Sequence, residues 1–143
     1  MKLVVDTNIV FSALLNPQSA IEILTTIQDD LIFFAPDLFK EELKRYSSRI
    51  AAYSKLGQNN LFIIEALVLS TINFISEELI SDQSWRQAIS LTQGIDEDDT
   101  PFVALGIELN AKLWTGDKIL SKGLAKKGLD LTITTADLKK LIT

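Results

Sequence analysis

The chain opens on an apolar, β-prone run, Lys2 to Val5, that reads as a short buried strand ended by Asp6. Behind it Ile9, Val10, Ala13 and Leu14 recur at helical spacing until Asn16-Pro17 breaks the pattern. Ser19 is placed to N-cap a second helix, Ala20 to about Gln28. LIFFAP, residues 31 to 36, predicts another buried strand, stopped by Pro36. A third helix is expected from about Asp37 to Tyr53. A fourth, about Asn59 to Thr71, is apolar on most of its surface. INFIS, 72 to 76, is a short strand, and a helix follows near Ser84 to Leu91. Thr100 is positioned to N-cap the next helix, with Pro101 at its first position and Phe102, Val103, Leu105, Ile107 and Leu109 along it. AKLWT, 111 to 115, is a strand ended by Gly116-Asp117. A helix from Lys118 to Lys127 then stops at Gly128, LTITT is a last strand, and Ala136 to Leu141 a last helix.

Strands alternating with helices imply an α/β fold whose mainly parallel sheet is covered on both faces. In such sheets ligands bind beyond the carboxyl ends of the strands, where the strand order switches. Chemically important residues are therefore expected directly after strands. The 143 residues, with no repeat, low-complexity tract or linker, read as one domain, 1–143. No stretch approaches the roughly 18 apolar residues of a membrane span. Asp6 and Asn8 interrupt the N-terminal apolar run and no clear cleavage site follows, so the chain reads as a mature, cytoplasmic protein.

Composition narrows the chemistry. An apolar fraction of 47% supports a sizeable core. There is no cysteine and no histidine. This excludes disulfides, thiolate metal sites, a Cys nucleophile, a Ser-His-Asp triad and most zinc sites. Catalysis would have to rest on carboxylates, lysines, hydroxyls or a hard metal ion. The net charge of -5 offers nucleic acid no global attraction, but it leaves room for local basic patches and for a bound cation.

The acids are where the strand rule puts them. Asp6 ends one strand in LVVDTN and Asp117 ends another in LWTGD. Neighbouring parallel strands would bring the two together. Each could also simply cap the helix behind it, which is the commoner role for one such Asp alone. A third group, IDEDD at 95 to 99, lies just before an apolar helix. Glu97, and with it Asp98, suits a solvated loop; Asp96 and Asp99 suit it less if Asp6 and Asp117 converge nearby. Crowded carboxylates raise one another's pKa unless a cation keeps them ionised. An oxygen-only set favours Mg²⁺ or Mn²⁺, which suits water activation and phosphodiester displacement. The third helix offers one further acid. Glu42 shares an inward stripe with Leu38, Leu43 and Tyr46, whereas Glu41 can pair outward with Arg45.

With these residues in place, the chain resembles PIN-domain nucleases, including VapC-type toxins of prokaryotic toxin–antitoxin pairs. The resemblance rests on VVDTNIVFSALL, Glu42-Leu43, DEDDTPFVAL and LWTGDKIL, in order and over nearly the whole chain. It implies a three-layer α/β/α sandwich and a catalytic acidic quartet on Asp6, Glu42, Asp99 and Asp117. Asp96 matches an accessory acidic position, and metal ligation falls on Asp6, Asp99, Asp117 and Asp96. Asn8 and Thr115 match polar positions that support the site. The implied activity is Mg²⁺- or Mn²⁺-dependent cleavage of single-stranded RNA, with frequent homodimers and, for a toxin, a cognate antitoxin. Gly106 stands where the family often has Ala, and the DTPF form sits apart from the best-known toxins.

Lys118, Lys122 and Lys126 recur every four residues on one helix face, and Lys40, Lys44, Arg45 and Arg49 enrich the helix bearing Glu42. Lys118, Lys122 and Lys44 are the candidate phosphate contacts, set against the commoner role of lysines as a solvated face. Trp114 reads as core, and Trp85 suits core or surface. LFIIEALVL, 61 to 69, is either buried or part of an interface, as a homodimer seam or an antitoxin groove. Two other functions remain open on sequence. One is a non-catalytic scaffold of the same fold. The other is an aspartyl-phosphate phosphotransferase of haloacid dehalogenase type. The latter wants a second Asp where this chain has Asn8, and a Lys shortly before Asp96 where none occurs.

Overall fold

A computed structural model of the chain describes residues 1–16, 19–26 and 30–142. Among these residues five strands form one sheet: β1 (Lys2–Val5), β2 (Ile32–Pro36), β3 (Ile72–Ile75), β4 (Lys112–Trp114) and β5 (Thr132–Ile133). Their order is β3-β2-β1-β4-β5 and every pairing is parallel. The chain steps one way from β1 through β2 to β3, then returns past β1 to β4 and β5. The switch point therefore lies between β1 and β4, where Val5 pairs with Trp114.

The described helices are α1 (Thr7–Leu15), α2 (Ser19–Thr25), α3 (Leu38–Arg45), α4 (Ser47–Tyr53), α5 (Gln58–Thr71), α6 (Asp82–Thr92), α7 (Thr100–Leu109), α8 (Lys118–Lys126) and α9 (Thr135–Ile142). α1 packs with α2 to α5, and α9 with α2. α7 packs on α6 and on β1, β2 and β4, while α8 joins α6. The two groups cover the two faces of the sheet as an α/β/α sandwich. The central strand needs both covers, since Leu3, Val4 and Val5 are all fully buried.

Several elements depart from the sequence pattern. The expected third helix is two helices, α3 and α4, which meet at Tyr46 in the bridge conformation, φ -91 and ψ 0. No Gly or Pro marks that break. Ser47 Oγ instead donates to Lys44 O at 2.7 Å, closing the end of α3. Thr100 is the first residue of α7 rather than its cap; Asp99 occupies the cap position, and Pro101 lies in the first turn. No Glu41–Arg45 ion pair forms among the described residues. The expected break at Pro17 and the end of the second helix near Gln28 lie outside the described residues, as does the side chain of Ser19. α5 is not a wholly buried helix: it buries Leu61 and Val68 and leaves Phe62, Ile63 and Leu67 exposed. Trp114 is fully buried, and its Nε1 donates to Thr135 Oγ1 at 2.9 Å. Trp85 is half-buried and donates from Nε1 to Glu77 O at 3.3 Å. No helix among the described residues is long and apolar enough to cross a membrane.

Candidate metal centre

The carboxyl ends of β1 and β4 lie side by side at the switch point and carry Asp6 and Asp117. Asp6 is 3% exposed and caps α1. Its Oδ1 accepts from the N–H of Asn8 at 3.2 Å, and its Oδ2 accepts from Thr115 Oγ1 at 2.6 Å. Thr115 Oγ1 in turn accepts from the N–H of Asp117 at 3.0 Å. Asp117 caps α8 through Oδ1 alone, which accepts from Ile119 N at 3.0 Å and Leu120 N at 3.1 Å. Capping therefore occupies only one oxygen of Asp117, and no described hydrogen bond takes up the other.

The third contribution comes from the loop between α6 and α7. Asp96 caps a 3-10 turn, Glu97–Asp99, by accepting from Asp98 N at 3.2 Å. Asp99 follows at the N-terminus of α7 with φ -85 and ψ 0, and its side chain makes no capping bond. Instead its Oδ2 is buried and has no hydrogen-bond partner among the described residues. One oxygen from each of Asp96, Asp99 and Asp117 lies within 4.8 Å of the others. Oxygen ligands about 2.1 Å from a shared Mg²⁺ stand at most about 4.2 Å apart, so small side-chain rotations would close this trio on one ion. Asp6 and Glu42 do not join the trio at that spacing.

Electrostatics bind the wider group together. Burial pushes the Asp99 carboxyl up from the usual 3.8 to about 8, reinforced by the charges of Asp6, Asp96 and Asp117. Burial also raises Asp6, helped by Asp117 and Asp96 and opposed by the bonds from Thr115 and Asn8. Glu42 is raised by burial and by Asp6 and Asp98, and held back by the bond from Thr7 and by Arg45. A site built from acids that are costly to ionise, with one buried oxygen left bare, is matched to a hard cation.

Glu42 is half-buried on α3 and Glu41 is exposed, so the inward assignment of Glu42 agrees with the structure. Its Oε1 accepts from Thr7 Oγ1 at 3.1 Å, which attaches α3 to the residue next to Asp6. Thr7 went unnoticed in the sequence, although its place directly after a strand-ending Asp was a usable signal. Asn8 reaches Asp6 through its backbone, and the residue is exposed. Lys118, Lys122 and Lys44 are exposed on α8 and α3, the two helices that carry Asp117 and Glu42. Lys40 lies over the Phe74 ring, 4.4 Å from its centroid, and Arg49 over Tyr46 at 6.0 Å.

Comparison with known proteins bears on the family and the fold. A family model described as PIN domain matches residues 4–137. No curated protein sequence matches the chain. Among solved structures, the chain is similar to VapBC2 from Rickettsia felis bound to a DNA fragment from their promoter. The TM-score is 0.63 at 18% identity, covering 94% of this chain and 97% of that one. At that identity the likeness speaks for the fold.

Proposed function

Since the chain belongs to the PIN-domain family, we propose that it is a metal-dependent endoribonuclease. The observation that carries this reading is the bare, buried Oδ2 of Asp99 amid the carboxylates of Asp6, Asp96 and Asp117. Asp96, Asp99 and Asp117 would hold Mg²⁺ or Mn²⁺, with Asp6 behind them. The ion, when bound, supplies charge neutralisation for a phosphodiester and a lowered pKa for water. Asp6 is kept oriented by Thr115 and the N–H of Asn8, so its charge stays directed at the same point. Glu42, held by Thr7, stands at the edge of the site as the carboxylate suited to take a proton from attacking water. Its raised pKa moves it towards that task. Lys118, Lys122 and Lys44 would contact backbone phosphates on either side, drawing single-stranded RNA to an otherwise acidic surface.

In the same reading the protein acts in the cytoplasm as the toxin of a toxin–antitoxin pair. The exposed apolar residues of α5, Phe62, Ile63 and Leu67, would serve as a homodimer seam or an antitoxin groove. Support comes from the family match and from the similarity to a chain of a VapBC2 complex.

The direct test compares wild type and Asp99→Asn on a mixed pool of structured and single-stranded RNAs, with EDTA, Mg²⁺ or Mn²⁺. Metal-dependent cleavage that disappears in the variant is the expected result. Metal binding without cleavage by freshly purified protein would point to a narrow substrate or a retained inhibitor. Neither binding nor cleavage would leave a scaffold of the same fold.

A further inference from the structure

We infer that α8 sets the spacing of the acidic trio, with Gly123 and Lys127 as positioning residues; this rests on the metal-centre reading above. The first observation is a seat. Gly123 lies inside α8, where glycine is disfavoured against alanine by about 1 kcal/mol. A Cβ there would stand 2.6 Å from Ile95 Cδ1, 2.8 Å from Cγ2 and 2.9 Å from Cγ1. Ile95 therefore rests on the bare backbone of α8, and it is the residue immediately before Asp96. Cγ1 and Cγ2 branch directly from its Cβ, so a clash there moves the residue rather than a free chain end.

The second observation lies one turn beyond Gly123, at the C-cap of α8. Lys127 Nζ donates to Leu91 O at 2.8 Å, Gln93 O at 3.3 Å and Ser90 O at 3.4 Å. These carbonyls belong to the last turn of α6 and the residue just past it, where helical carbonyls lack partners. An ammonium has three protons to donate, and three carbonyl oxygens lie within reach of it. Lys127 is therefore spoken for as a clamp and is not a free phosphate contact.

Gly123 and Lys127, the C-cap residue, are four residues apart and so lie on the same side of α8. Together they grip the segment that runs from the end of α6 into Asp96. The same helix is N-capped by Asp117. One rigid element thus carries one member of the trio and holds the segment that presents the other two.

A role in packing alone would lower stability and leave the affinity of the folded protein for metal unchanged. The test is therefore Mn²⁺ titration by calorimetry, at a temperature where circular dichroism shows each variant folded. Lys127→Met and Gly123→Ala are each expected to weaken Mn²⁺ binding roughly 10-fold, the scale on which residues supporting metal ligands act. Lys127→Arg should recover most of the loss, because a guanidinium can donate to the same carbonyls. Lys2→Met, at the opposite end of the sheet, should match wild type. Ile95→Val is the milder probe should Gly123→Ala not fold, with a smaller loss expected. Wild-type affinity in Lys127→Met and in the seat variant would overturn this inference and leave the metal centre standing. Absence of Mn²⁺ binding by wild type would overturn both.

Discussion

Thr115 Oγ1 donates to Asp6 Oδ2 at 2.6 Å across the seam between β1 and β4, and both residues are buried. The same hydroxyl accepts the Asp117 N–H, so one side chain orients two acids that lie far apart in sequence. Thr115→Val keeps the shape and removes both bonds. Loss of a bond to a charged group, with an N–H left unpaired, is expected to cost about 1–3 kcal/mol. Thr115→Ser keeps the hydroxyl and should behave more like wild type. Urea unfolding together with Mn²⁺ titration reads both effects, and Mn²⁺ affinity should fall in the valine variant alone. Equal behaviour of Val and Ser would show that the hydroxyl does not organise the site.

The pH dependence of the metal-free protein has a definite sign. Asp99 titrates near 8 in the fold against 3.8 ordinarily, and Asp6 and Glu42 are shifted the same way. Between those values the folded state holds protons that the unfolded state has released. Their stabilisation is complete below about pH 4, declines as pH rises, and is exhausted above about pH 8. For one such group the slope is at most about 1.4 kcal/mol per pH unit. Melting temperature in EDTA should thus fall from pH 5 to 8, and Mn²⁺ should remove much of that fall while releasing protons. Proton release is measurable as a buffer-dependent binding enthalpy. A flat EDTA profile would mean that the carboxylates are not crowded in solution.

Asp99→Asn and Asp6→Asn should both abolish metal-dependent cleavage yet differ in stability. Asp99 Oδ2 is buried with no hydrogen-bond partner among the described residues, so an amide there removes the cost of a crowded carboxyl that must be either ionised or held protonated. The metal-free Asn variant should melt a few degrees above wild type. Asp6 accepts at both oxygens; an amide N–H₂ facing the Asn8 N–H would oppose another donor, and one facing Thr115 would force that hydroxyl to turn from donor to acceptor. Asp6→Asn should therefore gain less, or lose stability. Differential scanning calorimetry in EDTA separates the two. A larger gain for Asp6→Asn would reverse the assignment of which carboxylate is left bare.

The five strands and the acids after them were legible because buried parallel strands are continuous apolar runs, and because a site at the switch point must use residues that follow them. Helical spacing also separated Glu42 from Glu41. The break at Tyr46 was not legible: KRYSSRI holds no Gly or Pro, and the turn depends on a local Ser47 bond. The α5 run could not reveal its partly exposed state, since hydropathy reports apolarity and not what covers it. The grip of Lys127 on Ser90, Leu91 and Gln93 spans more than thirty residues and obeys no local period. In the sequence it is one lysine among several. Gly106 looked like a departure from a family alanine, and only the neighbouring backbone accounts for it.

That backbone supplies the last expectation. Ala111 N donates to Gly106 O at 2.8 Å where α7 turns into β4, and Asn110 takes the left-handed conformation, φ 52. A Cβ on Gly106 would stand 2.9 Å from Ala111 O. That atom is a main-chain carbonyl and cannot swing aside as a side chain would. Two effects compete in Gly106→Ala. Alanine gains about 1 kcal/mol of helix propensity, and overpacking against a fixed neighbour costs about 1–3 kcal/mol. The clash should win, lowering the melting temperature by several degrees at roughly 2–4 °C per kcal/mol. Gly57→Ala is the control. That glycine has nothing within 4 Å of an added Cβ, so no clash arises; as the N-cap of α5 it should lose only the preference of that position for glycine over alanine, less than about 1 kcal/mol. α7 carries Asp99 at its other end, so a shift at Gly106 should also weaken Mn²⁺ binding, while Gly57→Ala should leave it alone. A stabilised Gly106→Ala would mean that the α7–β4 turn opens freely and that Gly106 is not needed for the close approach.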